Sequence, residues 1–126
     1  MKTKFSSSWT KSKQSRKQRK YRHNAPLHIK QKFVSAHLSK DLRKKYNKRS
    51  TNLRKGDSVK VVRGQFKNKT GKIEEISLKK TLAYVSGIEI VKRDGTKARY
   101  PIHPSNLMIT ELNRDDKMRN KIFERK

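Results

Sequence analysis

Arg16, Lys17, Arg19, Lys20 and Arg22 set five cations within seven positions, with no acid among them. A string of that kind suits one chemistry, the neutralisation of a polyanion, in which each contacted phosphate releases condensed counterions and the gain adds up along the backbone. Lys13 precedes the string and Lys30 and Lys32 follow it. A second group, Arg43, Lys44, Lys45, Lys48 and Arg49, closes the same stretch. Residues 1–52 hold +16 of the net charge of +26, against a single acid, Asp41. Self-repulsion at that density opposes any compact state without a counter-polyanion, so these cations are read together as a nucleic-acid-binding set. Arg is the better candidate wherever a bidentate phosphate contact forms.

Catalysis and metal binding find little to work with. The chain has no cysteine, and His23, His28, His37 and His103 do not group at metal-ligand spacing. Glu74 and Glu75 interrupt a β alternation, which fits a bulge or a sharp bend better than paired catalytic carboxylates. Six residues separate Gly64 from Gly71 and Ile73 follows Lys72, whereas a phosphate loop has four residues between its glycines and a Ser or Thr after its lysine. No enzyme activity, metal or cofactor is expected. His28 and His103, in turns that contain proline, are read as structural rings that satisfy nearby backbone. Trp9, Tyr21 and Phe66 sit among cations and suit stacking on unpaired bases. Phe66 equally suits covering one end of a barrel, while Tyr84 and Tyr100, in alternating strands, are read as core.

The elements that must position these residues follow from the apolar pattern. With 126 residues and 30% of them hydrophobic, the chain has room for one small domain plus extensions. No run approaches the roughly 20 apolar residues of a membrane span, and no apolar secretory segment opens the chain, so a cytosolic or nuclear protein is expected. Residues 1–22 hold too little apolar surface to offset chain entropy and are expected to be disordered or transiently helical in isolation. Between Pro26 and Tyr46 two short basic helices are expected, with Pro26 at a first helical position and Ser39 as an N-cap.

From Leu53 the pattern turns to β, with Val59, Val61, Ile73, Val85 and Ile88 among its β-branched residues and turns at Gly64, Gly71, Ser86–Gly87 and Asp94–Gly95. Asp94–Gly95 predicts a two-residue type I′ hairpin. Pro101, lacking an N–H, belongs on an edge. Five or six short strands in about sixty residues predict a small closed barrel. In the tail, Asn113 as a cap, Asp115 and Asp116 in the first turn, and Met118 and Ile122 four residues apart predict a short amphipathic helix. The reading divides the chain into a basic extension with short helices (residues 1–52), a β barrel (53–112) and a basic C-terminal helix or tail (113–126).

The segment from Lys55 to Ile73, Lys-Gly-Asp-Ser-Val-Lys-Val-Val-Arg-Gly-Gln-Phe-Lys-Asn-Lys-Thr-Gly-Lys-Ile, resembles a KOW motif. A strand leaves through Gly64, a tight loop exposes Arg63, Lys67, Lys69 and Lys72 to phosphates, with Gln65, Phe66 and Asn68 in the same RNA-binding set, and Gly71 re-enters the sheet. Both glycines are expected to adopt conformations costly for other residues. Asn68 stands where the motif usually has glycine, and Asn tolerates the left-handed region next best. Around the motif, Lys17–Lys20, Asn24-Ala25-Pro26-Leu27-His28, Leu38–Tyr46 and Ile102-His103-Pro104-Ser105-Asn106 occur in order. Together they resemble the universal L twenty-four family of large-subunit ribosomal proteins in its archaeal and eukaryotic form, from about Lys13 to Lys126.

The resemblance implies a mostly β fold, a small SH3-like (KOW) barrel with a basic helical or extended N-terminal arm and a short C-terminal helix. It also implies large-subunit rRNA and neighbouring ribosomal proteins as partners, a role in early subunit assembly, a place near the polypeptide exit tunnel, and residence in cytoplasmic ribosomes. Neither a membrane nor a second copy of the chain is expected as a partner. Two rivals remain open from the residues alone, a transcription elongation module that also uses KOW domains and a DNA-coating protein of the chromatin type. Residues 1–12 fit no pattern.

Overall fold

Alternating aliphatic residues build the sheet on which everything else is placed. A computed structural model describes residues 5–9 and 11–125. Its strands are β1 (Ser35–Leu38), β2 (Ser50–Asn52), β3 (Ser58–Val61), β4 (Thr70–Ser77), β5 (Leu82–Val91), β6 (Lys97–Ile102) and β7 (Leu107–Glu111). They hydrogen-bond in the order β2-β1-β7-β3-β4-β5-β6, with β1–β7 parallel and the other pairs antiparallel. Val59 and Val61, Leu107 and Ile109, and Ala83 and Val85 repeat at a period of two and turn into one core with Ile73, Ile88 and Ile102. The fold is a small, mostly β, SH3-like barrel with a helical arm and a short C-terminal helix, as the resemblance implies.

The sheet and its core also take in residues that composition grouped with the arm. β1 pairs with β7 through His37↔Met108 and Leu38↔Ile109, and Val34, Ala36 and Leu38 are buried in the barrel core. Ser35-Ala36-His37-Leu38 holds no β-branched residue, so nothing local announces a strand there. Burial against β7 and pairing with β2 make it one. On either side lie the two expected helices, α2 (Leu27–Phe33) and α3 (Lys40–Tyr46). The Ser39 hydroxyl accepts from Leu42 N–H at 3.3 Å, and Asn47 in the left-handed region (φ 51°) ends α3. Pro26 caps α2 from one position outside it, its carbonyl accepting from Ile29 and Lys30, rather than standing first inside.

Three local expectations change. The β5–β6 connection is not a two-residue type I′ turn: Lys92 and Thr96 close a three-residue loop, and of Asp94 and Gly95 only Gly95 has positive φ (81°). Tyr84 is not core. It points to the outer face, half-buried, with Arg99 over its ring at 5.7 Å, because its neighbours Ala83 and Val85 take the inward positions. The C-terminal helix α4 (Lys117–Glu124) forms, but Met118 and Ile122 face outward at 64% and 48% exposure while Arg119 and Phe123 are buried. The Glu74–Glu75 bulge and the edge position of Pro101 on β6 are as expected: pairing jumps from Ile73↔Val85 to Glu75↔Tyr84, and β6 ends the sheet.

Candidate nucleic-acid interface

The arm's helix, α1 (Ser15–Asn24), buries no residue and has no side-chain cap. At about 100° per residue, Arg16, Arg19 and Lys20 share a face, Lys17 and Arg22 flank them, and Tyr21 lies on the opposite side from Arg19. All five cations are exposed, as is Lys13 just before the helix. Tyr21 is anchored from the far side, stacked on Trp9 with ring centroids 4.4 Å apart and tilted against Phe5 and Phe33 at 4.9 and 6.2 Å. The helix therefore hangs on its aromatic side and offers its cations to solvent.

The KOW loop is a closed turn. Asn68 N–H donates to Val61 O and Val61 N–H to Lys69 O, both at 2.8 Å, so β3 and β4 clamp the loop between them. Gly64 and Asn68 both have positive φ, 97° and 70°, as the motif demands. Gly71 is glycine for a different reason. Its φ is not positive. A Cβ there would lie 2.5 Å from Ser86 O and 2.8 Å from Val85 Cγ1, so β4 needs a bare Cα to pass β5. Arg63, Gln65, Lys67, Asn68, Lys69 and Lys72 are exposed. Phe66 turns inward on Tyr100 at 5.0 Å and packs on the core, covering that end of the barrel, with the Lys69 ammonium 5.2 Å above its ring.

Between arm and loop, the remaining predicted cations divide. Lys32, Lys44, Lys45 and Arg49 are exposed. Arg43 Nε donates to Leu38 O at 2.8 Å, Lys48 Nζ to Ile122 O, and Lys30 Nζ to Lys79 O at 3.4 Å, so these three also hold the protein together. His103 is structural, its Nδ1 accepting from Ser105 N–H at 3.3 Å and bonded to the Ser105 hydroxyl at 2.8 Å.

Reading the sequence for cations missed what one of them does. Arg119 forks onto Asp57, Nη1 to Oδ1 at 2.5 Å and Nη2 to Oδ2 at 2.7 Å, with both residues almost wholly buried. Asp57 also accepts from Arg54 and Asn113 N–H at 2.9 Å, and Arg119 donates to Asn113 O and Asn52 O. The signal available was Asp57 itself, the sole acid of residues 42–73, set directly before a strand. Nearby, Glu74, Glu75, Asp115 and Asp116, four of the chain's ten acids, line a cleft of about 520 Å³ with Arg54 and Lys55. That face is the one least suited to phosphate.

A basic SH3-like barrel with a KOW loop and a cationic helical arm defines a class of small architectural proteins. Residues 12–126 match the family model for ribosomal proteins described as L26 in eukaryotes and L24 in archaea, and the chain belongs to that family. It is 52% identical over 114 residues to the large ribosomal subunit protein uL24 of Methanothrix thermoacetophila, covering 90% of this chain and 98% of that one. Against the protein of the same name from Methanosphaera stadtmanae the identity is 50% over 115 residues, covering 91% and 98%. The protein is thus a structural constituent of the large subunit of the cytoplasmic ribosome, from a family of structural rather than catalytic proteins. Among the described residues, no helix is long and apolar enough to cross a membrane.

Proposed function

We propose that the chain binds large-subunit rRNA through two cationic surfaces, the arm and the KOW loop, and that this binding fixes it in the subunit early in assembly, beside the polypeptide exit. One observation carries the reading. Among the described residues, ion pairs engage Arg54, Arg99 and Arg119, and no cation of the arm or of the KOW loop is paired with an acid. A surface that keeps so much charge unpaired is matched to an external polyanion. The loop fixes orientation, because it is clamped to rigid strands. The arm screens phosphates that otherwise hold RNA helices apart. Recognition rests on RNA shape, since helical RNA hides its base edges in a deep major groove. The acid-lined cleft at β4 and α4 faces neighbouring proteins instead.

Affinity for a large-subunit rRNA fragment is expected to fall by about 10³–10⁵ between 50 and 200 mM salt for about 6–10 phosphate contacts. A nearly salt-independent isotherm overturns the reading. Tighter binding to duplex DNA than to rRNA in competition points to a DNA-coating protein instead.

A further inference from the structure

The arm's aromatic residues do more than anchor a helix. Phe5, Trp9, Tyr21 and Phe33 are each half-buried and none is fully buried, so their cluster is open on one side. The opening is a cleft of about 380 Å³, within the size range of small-ligand sites, whose walls are Phe5, Trp9 and Tyr21 with Lys11, Lys17 and Lys20 at the rim. No acid lines it. Half-buried aromatic walls favour a flat, polarisable partner, and three ammonium groups that pair with no acid among the described residues favour negative charge a short distance away. A nucleotide has both, whereas an aliphatic side chain uses no ammonium and a cation is repelled.

We propose that this cleft holds one unpaired nucleobase of the bound RNA, stacked on Trp9, with Lys11, Lys17 and Lys20 on the flanking phosphates. The inference rests on the rRNA-binding reading and adds to it a base-binding site built from Phe5, Trp9, Lys11, Lys17, Lys20 and Tyr21, part of which lies before residue 12, where the family match begins. The site differs in kind from the rest of the interface. Elsewhere the chain meets phosphate and shape, while here it meets a base.

Trp9 is the chain's single tryptophan, so its fluorescence reports this cleft alone. The full chain is titrated with single-stranded oligoadenylate, with duplex RNA and with inorganic polyphosphate, and total binding is followed in parallel by calorimetry. Oligoadenylate is expected to quench Trp9 emission saturably, while duplex and polyphosphate bind without matching quenching. Trp9→Ala lowers single-strand affinity by about 5- to 100-fold and duplex affinity by less than about two-fold, and Trp9→Phe, which keeps a stacking face, restores most of the loss. Saturating oligoadenylate that leaves Trp9 emission where polyphosphate leaves it overturns the site and leaves rRNA binding standing. So does a Trp9→Ala chain that binds single strands as the original does. Absence of calorimetric binding to any RNA overturns both.

Discussion

The chain's two terminal helices are both short and basic, yet the structure treats them in opposite ways. α4 is capped by Asp116, whose carboxylate accepts from Met118 and Arg119 N–H at 2.8 and 3.3 Å. It buries Arg119 on Asp57 and lays Phe123 against Tyr46, ring centroids 4.7 Å apart. α1 has no side-chain cap, buries nothing, and keeps Arg16, Lys17, Arg19, Lys20 and Arg22 exposed. Both helices carry several cations, so being cationic does not by itself explain why one is fastened and the other free. What separates them is acids: Asp116 caps α4 and Asp57 turns Arg119 into an internal fastener, while among the described residues no cation of α1 is paired with an acid. A cation opposite a buried carboxylate serves the fold, and a cation opposite nothing is left for a partner.

The sharpest way to test the contrast is to strip the free helix. Replacing Lys13, Arg16, Lys17, Arg19, Lys20 and Arg22 by Gln is expected to lower rRNA affinity about a thousandfold or more near 0.1 M salt and to flatten the log–log salt slope by about 4–5, at roughly 0.7–0.9 per phosphate contact. The unfolding free energy from denaturation should stay within about 0.5 kcal/mol, as for ordinary surface changes. A large loss of stability with an unchanged slope would break the comparison.

Next in size is the fastener. Asp57→Ala leaves the Arg119 charge buried and removes the acceptor for Arg54 and Asn113 N–H, at a cost of about 3–5 kcal/mol. Amide exchange should show α4 released first. Adding Arg119→Met to an Asp57→Leu chain should regain most of that loss, because a buried ion pair replaced by apolar groups of similar size is often neutral. If both chains lose equally, the pair is not what holds the helix.

A smaller difference lies in the caps. Asp116→Ala should cost about 1 kcal/mol, seen in the thermal midpoint, whereas Gln14→Ala at the start of α1 should change nothing, since no side chain caps that helix.

The smallest effect belongs to neither helix and gives a baseline for surface electrostatics. In the β5–β6 turn the Asp94 carboxylate accepts from the Thr96 hydroxyl and N–H at 2.7 and 3.0 Å, which lowers its pKa below the usual carboxylate value. A lowered folded value means stability that is present above the unfolded pKa and lost as pH falls through the lower, folded one. Thr96→Val should remove most of that acid-range dependence, measurable by NMR titration of the Asp94 side chain.

Much of this architecture is legible in the chain because it is local. The period of two in Val59 and Val61, the left-handed Gly64 and Asn68, the Ser39 cap and the bulge at Glu74 each depend on residues a few positions apart. The same applies to the clustering of charge in residues 1–52, which suits a polyanion whatever the fold. Tyr84 and Gly71 were harder to read. Whether Tyr84 faces in or out depends on the register of β5 against its neighbours, and Gly71 is bare because β5 passes it closely, not because its own φ requires it.

The amino-acid order alone therefore set where the positive charge lies, where the barrel's turns fall and that the charge suits a polyanion, since each follows from short-range pattern or simple composition. Only the folded arrangement decided that Ser35–Leu38 becomes a strand beside β7, that the aromatic rings of the arm leave a cleft open, and that Arg119, alone among the tail's described cations, is drawn inside by an acid 62 positions earlier. Those outcomes depend on which surfaces meet across long stretches of chain, and a contact between distant residues leaves no periodic trace at either end.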